Sequence, residues 1–188
     1  MGFETNIEGS IKGLGRFSNR VGLINRETVS DTREPYIKEK IKMTSTTEKL
    51  SLLENHILSK YGIKVVYSYK VKTDTYYPDK KLIEICPRQI AKHKLYSLLH
   101  EAGHILIQTP YAKYVRKFPL SHQTTLYGKD YRIDVLREEY FAWDKGFDLS
   151  KELKLDINEE KYYKYARKFL WGYIKWLMNP GKRYQWIT

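Results

Sequence analysis

The stretch LLHEAGHILI, residues 98–107, sets two imidazoles and a carboxylate inside an otherwise apolar run. The surrounding pattern decides its secondary structure. From Gln89 to Gln108 the residues Ala91, Leu95, Leu98, Leu99, Ala102 and Leu106 recur at helical spacing, and Pro110 blocks continuation, so the segment reads as a buried helix. Residues four apart on a helix lie one turn above each other, so His100 and His104 project from the same face and can converge on one ion. Unpartnered His and Glu side chains are costly to bury, which gives this helix a reason to carry a metal.

The ion these residues suit is zinc, Zn2+. Two neutral imidazole nitrogens at about 2.0–2.1 Å match its tetrahedral preference, and a catalytic site keeps one position open. Glu101 stands three residues before His104, within reach of a water molecule at the metal without ligating it. H-E-x-x-H on a helix is a known signature of that division of labour, with the glutamate as general base, so Glu101 is the candidate catalytic residue. His93 lies two turns before His100, but its neighbours Lys92 and Lys94 point to solvent, and it is not expected among the ligands.

A third protein ligand must come from elsewhere. A metzincin would place glycine at 107 and histidine at 110, where this chain has Ile107 and Pro110. The segment EICPRQ around Cys86 lacks the glycine-cysteine-leucine run of peptide deformylases. One remaining option is a carboxylate from a later helix, completing a set of two His and one Glu. REEYFAWDKG supplies Glu138 and Glu139. On a helix Glu139 shares a face with Val135, Leu136, Ala142 and Trp143 and is the expected ligand; Glu138, nearer Asp134 and Lys145 on a polar flank, is the alternative. His122 or Tyr127, between the ligand helices, are candidates for stabilising the oxyanion of a transition state.

The rest of the chain frames this core. Its 188 residues, 41% hydrophobic, suit one globular domain with an appended arm. Residues 1–44 hold five glycines and no clear period and read as an extended or poorly ordered arm. Residues 45–188 read as the domain. It opens with a helix whose cap is Ser45 or Thr46, whose stripe is Leu50, Leu53, Ile57 and Leu58, and whose end is Gly62. IKVVYSYKV and KKLIEICP are β-branched runs separated by turn residues Pro78 and Asp79, which predicts an antiparallel pair. The segment from Thr109 to Asp130 reads as loop, the Glu138/Glu139 helix ends at Gly146, and an amphipathic helix from about Asn158 to Met178 closes the domain.

One cysteine, Cys86, excludes an intramolecular disulfide framework and fits a reducing compartment. The start MGFETNIEGSIKGLG lacks the apolar core of a secretory signal, and no apolar run approaches the ~20 residues of a membrane span. The expectation is a soluble, cytoplasmic chain with no membrane partner. A formal charge of +12 adds the expectation of nonspecific nucleic-acid association through a basic surface. Residues 161–183 alone carry seven Lys/Arg and no acid.

Over about residues 45–146 the chain resembles the ImmA/IrrE-type zinc metallopeptidases, gluzincin-like proteins of bacteria and their mobile elements. The resemblance rests on a helix, a strand pair, LLHEAGH on the next helix, and a glutamate followed three residues later by alanine, Glu139-Tyr140-Phe141-Ala142. It implies that His100, His104 and Glu139 hold zinc, that Glu101 is the catalytic base, and that the partner is a protein or peptide substrate, often a transcriptional regulator. The expected fold is α+β, with a small antiparallel sheet packed on a helical zinc-metallopeptidase core and a flexible N-terminal arm. The expected function is zinc-dependent hydrolysis of peptide bonds. The alternative is a non-enzymatic, basic, nucleic-acid-associated accessory protein with a structural zinc. Glu101 weighs against it, because a structural site has no use for a base and usually closes with four protein ligands.

Overall fold

Ser45 opens the first described helix with a reciprocal cap. Its Oγ accepts from the Glu48 amide at 3.1 Å while the Glu48 carboxylate accepts from the Ser45 amide at 3.1 Å. Helix α1 (Thr46–Tyr61) follows and ends at Gly62, which takes the left-handed conformation at φ 67° and donates to the Leu58 carbonyl. Leu50, Leu53 and Ile57 are buried as expected, whereas Leu58 turns to solvent. The computed structural model describes residues 45–123 and 128–179. The arm expected over 1–44, Tyr127, Lys182 and Arg183 lie outside the described residues.

Strands β1 (Lys64–Tyr67), β2 (Thr75–Tyr77) and β3 (Leu82–Ile85) form a mixed sheet in the order β1-β3-β2. The expected antiparallel pairing of the two apolar runs is corrected: β1 lies parallel to β3, with Val65 opposite Ile83, and the antiparallel partner of β3 is β2, with Tyr76 opposite Ile83. The turn chemistry was legible but joins a different pair. Pro78–Lys80 form a 3-10 turn and Lys81, at φ 48°, donates to the Pro78 carbonyl, closing a tight hairpin between β2 and β3. Strands joined by so short a link must be antiparallel, so β1 takes the other edge of β3. The segment 68–74 therefore crosses the Ile85 end of β3, held where Asp74 accepts the Cys86 amide at 2.6 Å.

Helix α2 (Ala91–Gln108) is the central element, with Leu95, Leu98, Leu99, Ala102 and Ile105 buried. It packs against α1, the sheet, α4 (Lys129–Glu152) and α5 (Glu159–Met178). The loop expected after Thr109 contains a short helix, α3 (Tyr111–Lys117), which buries Tyr114 and leads into buried Phe118. About two turns are too few for a hydrophobic period to register in sequence. The expected end of α4 at Gly146 is also corrected: the helix runs on to Glu152. Gly146 is needed for space, since a Cβ there would overlap the Leu99 carbonyl oxygen, and Gly103 on α2 likewise leaves no room between itself and the Ala142 carbonyl.

Five α-helices and a three-stranded sheet among the described residues make the fold α+β, with the sheet mixed rather than antiparallel. No helix among them is long and apolar enough to cross a membrane.

Gly103→Ala should force α2 and α4 apart, because the obstacle is backbone. Overpacking of this kind costs about 1–3 kcal/mol, read as a lower denaturation midpoint at unchanged slope. Gly128→Ala, where a Cβ meets nothing within 4 Å, should cost clearly less.

Candidate metal centre

His100 and His104 leave α2 on the face that meets α4, and Glu139 leaves α4 towards them. The Nε2 atoms of the two imidazoles are 3.3 Å apart. One Glu139 carboxylate oxygen lies 3.2 Å from His100 Nε2 and the other 3.6 Å from His104 Nε2. One ligand atom from each of the three residues falls within 4.8 Å of the others, a group able to hold a metal ion. Backbone contact at Gly103 and Gly146 makes this convergence possible.

The two adjacent glutamates divide the imidazole between them. Glu138 is not on the polar flank that helix phase suggests; it is buried, and its carboxylate lies 3.5 Å from His104 Nδ1. α3 and the residues after it cover that flank. Asp134 accepts the Leu120 and Ser121 amides at 2.8 and 3.2 Å, and Ser121 in turn hydrogen-bonds Glu138. Glu138 thereby fixes the ring and directs His104 Nε2 at the group formed with His100 and Glu139. The His100 ring stacks on Trp143 at 4.2 Å, and Tyr173 hydrogen-bonds Glu139.

Glu101 stands beside these groups. Its Oε2 accepts the Tyr76 amide of β2 at 2.8 Å. Burial raises its pKa, against the lowering pull of His100 and His104. Burial alone would lower the pKa of His104, but Glu139, Glu138 and Glu101 outweigh it and raise it to about 9. Glu138 and Glu139 are desolvated, yet the histidines and the hydroxyls of Ser121 and Tyr173 hold both below the usual carboxylate range. Buried Glu101 and Glu138 and half-buried Glu139 surround two imidazoles, and the set of two His and one Glu among them could hold a metal ion such as zinc.

No family model, curated protein or solved structure matches the chain. The reading of the centre therefore rests on its own residues.

The group opens into a cleft of about 520 Å³ between β2, α2, α4 and α5. His93 lines it, half-buried rather than turned to solvent as its lysine neighbours suggested, and stacks on Tyr165 at 4.6 Å outside the group of His100, His104 and Glu139. His122 is not among the lining side chains; its Nδ1 sits 3.2 Å from the Phe118 carbonyl oxygen. Sequence reasoning missed Tyr173, Trp143 as a stacking partner, and the Tyr76 amide. Tyr173 carried a signal, a hydroxyl on the apolar face of the last helix. A backbone amide carries none.

Purified protein should contain close to one zinc per chain by elemental analysis. Glu139→Ala should remove most of it, whereas Glu138→Ala, which leaves all three ligands but frees the His104 ring, should weaken affinity by about 10–100-fold in a chelator competition. Zinc lost from the Glu138 variant and retained by the Glu139 variant would reverse the assignment.

Proposed function

We propose that this chain is a zinc-dependent peptidase, with His100, His104 and Glu139 holding the metal and Glu101 acting as general base. The observation that carries this reading is the position of Glu101, a buried carboxylate beside the ligand group that does not belong to it. Zinc bound there supplies a Lewis acid for the scissile carbonyl and lowers the pKa of water toward ~7. With Oε2 anchored on the Tyr76 amide, Glu101 takes the proton of the attacking water at Oε1 and passes it to the leaving amine. Burial raises its pKa, which suits a group that must both accept and return a proton.

Glu138 and Tyr173 are positioning residues in this scheme, one behind His104 and the other behind Glu139. The cleft suits a peptide segment as substrate. The resemblance of residues 45–146 to the ImmA/IrrE-type metallopeptidases supports the same roles for the same four residues. The reading keeps the chain in the cytoplasm, where buried Cys86 stays a free thiol.

Glu101→Gln separates an enzyme from a protein with structural zinc. The amide keeps the shape of the side chain and removes the proton acceptor. Metal content and thermal midpoint should therefore stay near wild type while hydrolysis of a quenched-fluorescent peptide library falls about 10²-fold or more. Full activity in this variant would defeat the mechanism, and an inactive wild type loaded with zinc would defeat the enzyme.

A further inference from the structure

A second depression, about 270 Å³, lies beside the cleft between the first turn of α2 and the exposed side of α5. Lys92, Lys161, Lys164 and Lys168 line it, together with His93, Tyr96 and Tyr165, and no acidic side chain does. His93 and Tyr165 line the cleft as well, so the stacked pair is a wall common to both. None of the four lysines forms an ion pair among the described residues.

In α2 this arrangement works against the stability of the helix that carries it, whereas α5 has Glu159 and Glu160 in its first turn. Lys92 stands in the first turn of α2, where the helix dipole is already positive and no acid offsets it. Lys161, Lys164 and Lys168 recur at three- and four-residue spacing, which places like charges on one stripe of α5. The field reaches the wall: burial first, then Lys168 and Lys92, hold the His93 pKa below the usual histidine value.

We propose that this basic groove is a specificity site that binds acidic side chains of the peptide substrate, a proposal that rests on the peptidase reading of the adjoining cleft. Its distance from the ligands sets the spacing. His93 and His100 are seven positions apart on α2, about 10 Å at 1.5 Å per residue, which an extended peptide covers in about three residues. The groove therefore reads aspartate or glutamate beginning about three residues from the scissile bond. Continuity with the cleft favours a peptide over a nucleic acid, because a chain lying across the metal group already passes the His93–Tyr165 wall.

The test uses full-length protein and a fluorescein-labelled hepta-glutamate peptide, followed by anisotropy. Wild type and Glu101→Gln should bind it alike and a matched hepta-glutamine peptide at least tenfold more weakly. Combined Lys92→Glu, Lys164→Glu and Lys168→Glu should weaken hepta-glutamate binding at least tenfold. Reversing the exposed Lys70, Lys80 and Lys113, away from the groove, should change it less than threefold. Equal losses in the two triple variants would assign the binding to overall charge and overturn the proposal. So would an oligothymidylate of equal charge that binds more tightly and loses its affinity in the groove variant, which would make the groove a nucleic-acid site.

Hydrolysis separates the proposal from the reading beneath it. Peptides with glutamate three residues from the cleaved bond should show at least tenfold higher kcat/KM than their glutamine counterparts, with the difference lost in the groove variant. Equal kcat/KM for both would overturn the groove and leave the peptidase standing. Groove-dependent binding with no cleavage of any peptide would support the groove and defeat the peptidase.

Discussion

Backbone-to-backbone contact between α2 and α4 is the constraint on which the site depends. Gly103 meets the carbonyl of Ala142, and Gly146 meets that of Leu99. On each helix the two contact points are one turn apart and in opposite order, so the helices cross antiparallel over a full turn. One turn further toward the start of α4 lies Glu139, opposite His100 and His104. Side chains at the two glycine positions would widen the crossing, and a carboxylate reaching across it cannot follow far. The same glycines that let the helices touch therefore determine whether two imidazoles and a carboxylate share one point.

Charge is distributed in opposition to the chain's average. The whole molecule is strongly basic at +12, yet Asp74, Glu101, Glu138 and Glu139 all line one cleft. Concentrating carboxylates where water is scarce is unfavourable unless each is answered. The answers here are two histidines, hydroxyls from Ser121 and Tyr173, the amides of Tyr76 and Cys86, and the side chain of Gln89. Beyond the His93–Tyr165 wall the sign of the surface reverses within the length of a short peptide. Two neighbouring fields of opposite sign are a physical basis for orienting a charged substrate.

The sheet is small, but it reaches the centre by one bond. β2 pairs with β3 along one edge and offers the Tyr76 amide from the other, where Glu101 accepts it. Fixing Oε2 in this way makes the two carboxylate oxygens inequivalent, which the proposed role of Glu101 as a base requires. The hairpin turn at Pro78–Lys80 thus bears on how Glu101 is held, because it decides which strand runs beside α2.

What the sequence determined by itself was carried by period and by local caps. The helical stripe of residues 91–106, a cap at Ser45 or Thr46, Gly62 as the stop of the first helix, Asn158 at the head of the last helix and the shared face of His100 and His104 all follow from spacing along one segment. Choosing Glu139 over Glu138 as the residue facing both Nε2 atoms was also legible, because one residue on a helix turns the side chain by about 100°. Only the tertiary structure decided what depends on neighbours from elsewhere in the chain. Gly146 looked like a terminator because glycine serves both helix ends and close crossings, and only Leu99 on another helix tells them apart. Glu138 looked placed on a polar flank because nothing on α4 announces that α3 and Ser121 cover that side and turn it into the partner of His104 Nδ1. Parallel pairing of β1 with β3 was likewise invisible, since two apolar strands carry the same alternation whichever way they run and the direction is set by where the intervening hairpin folds.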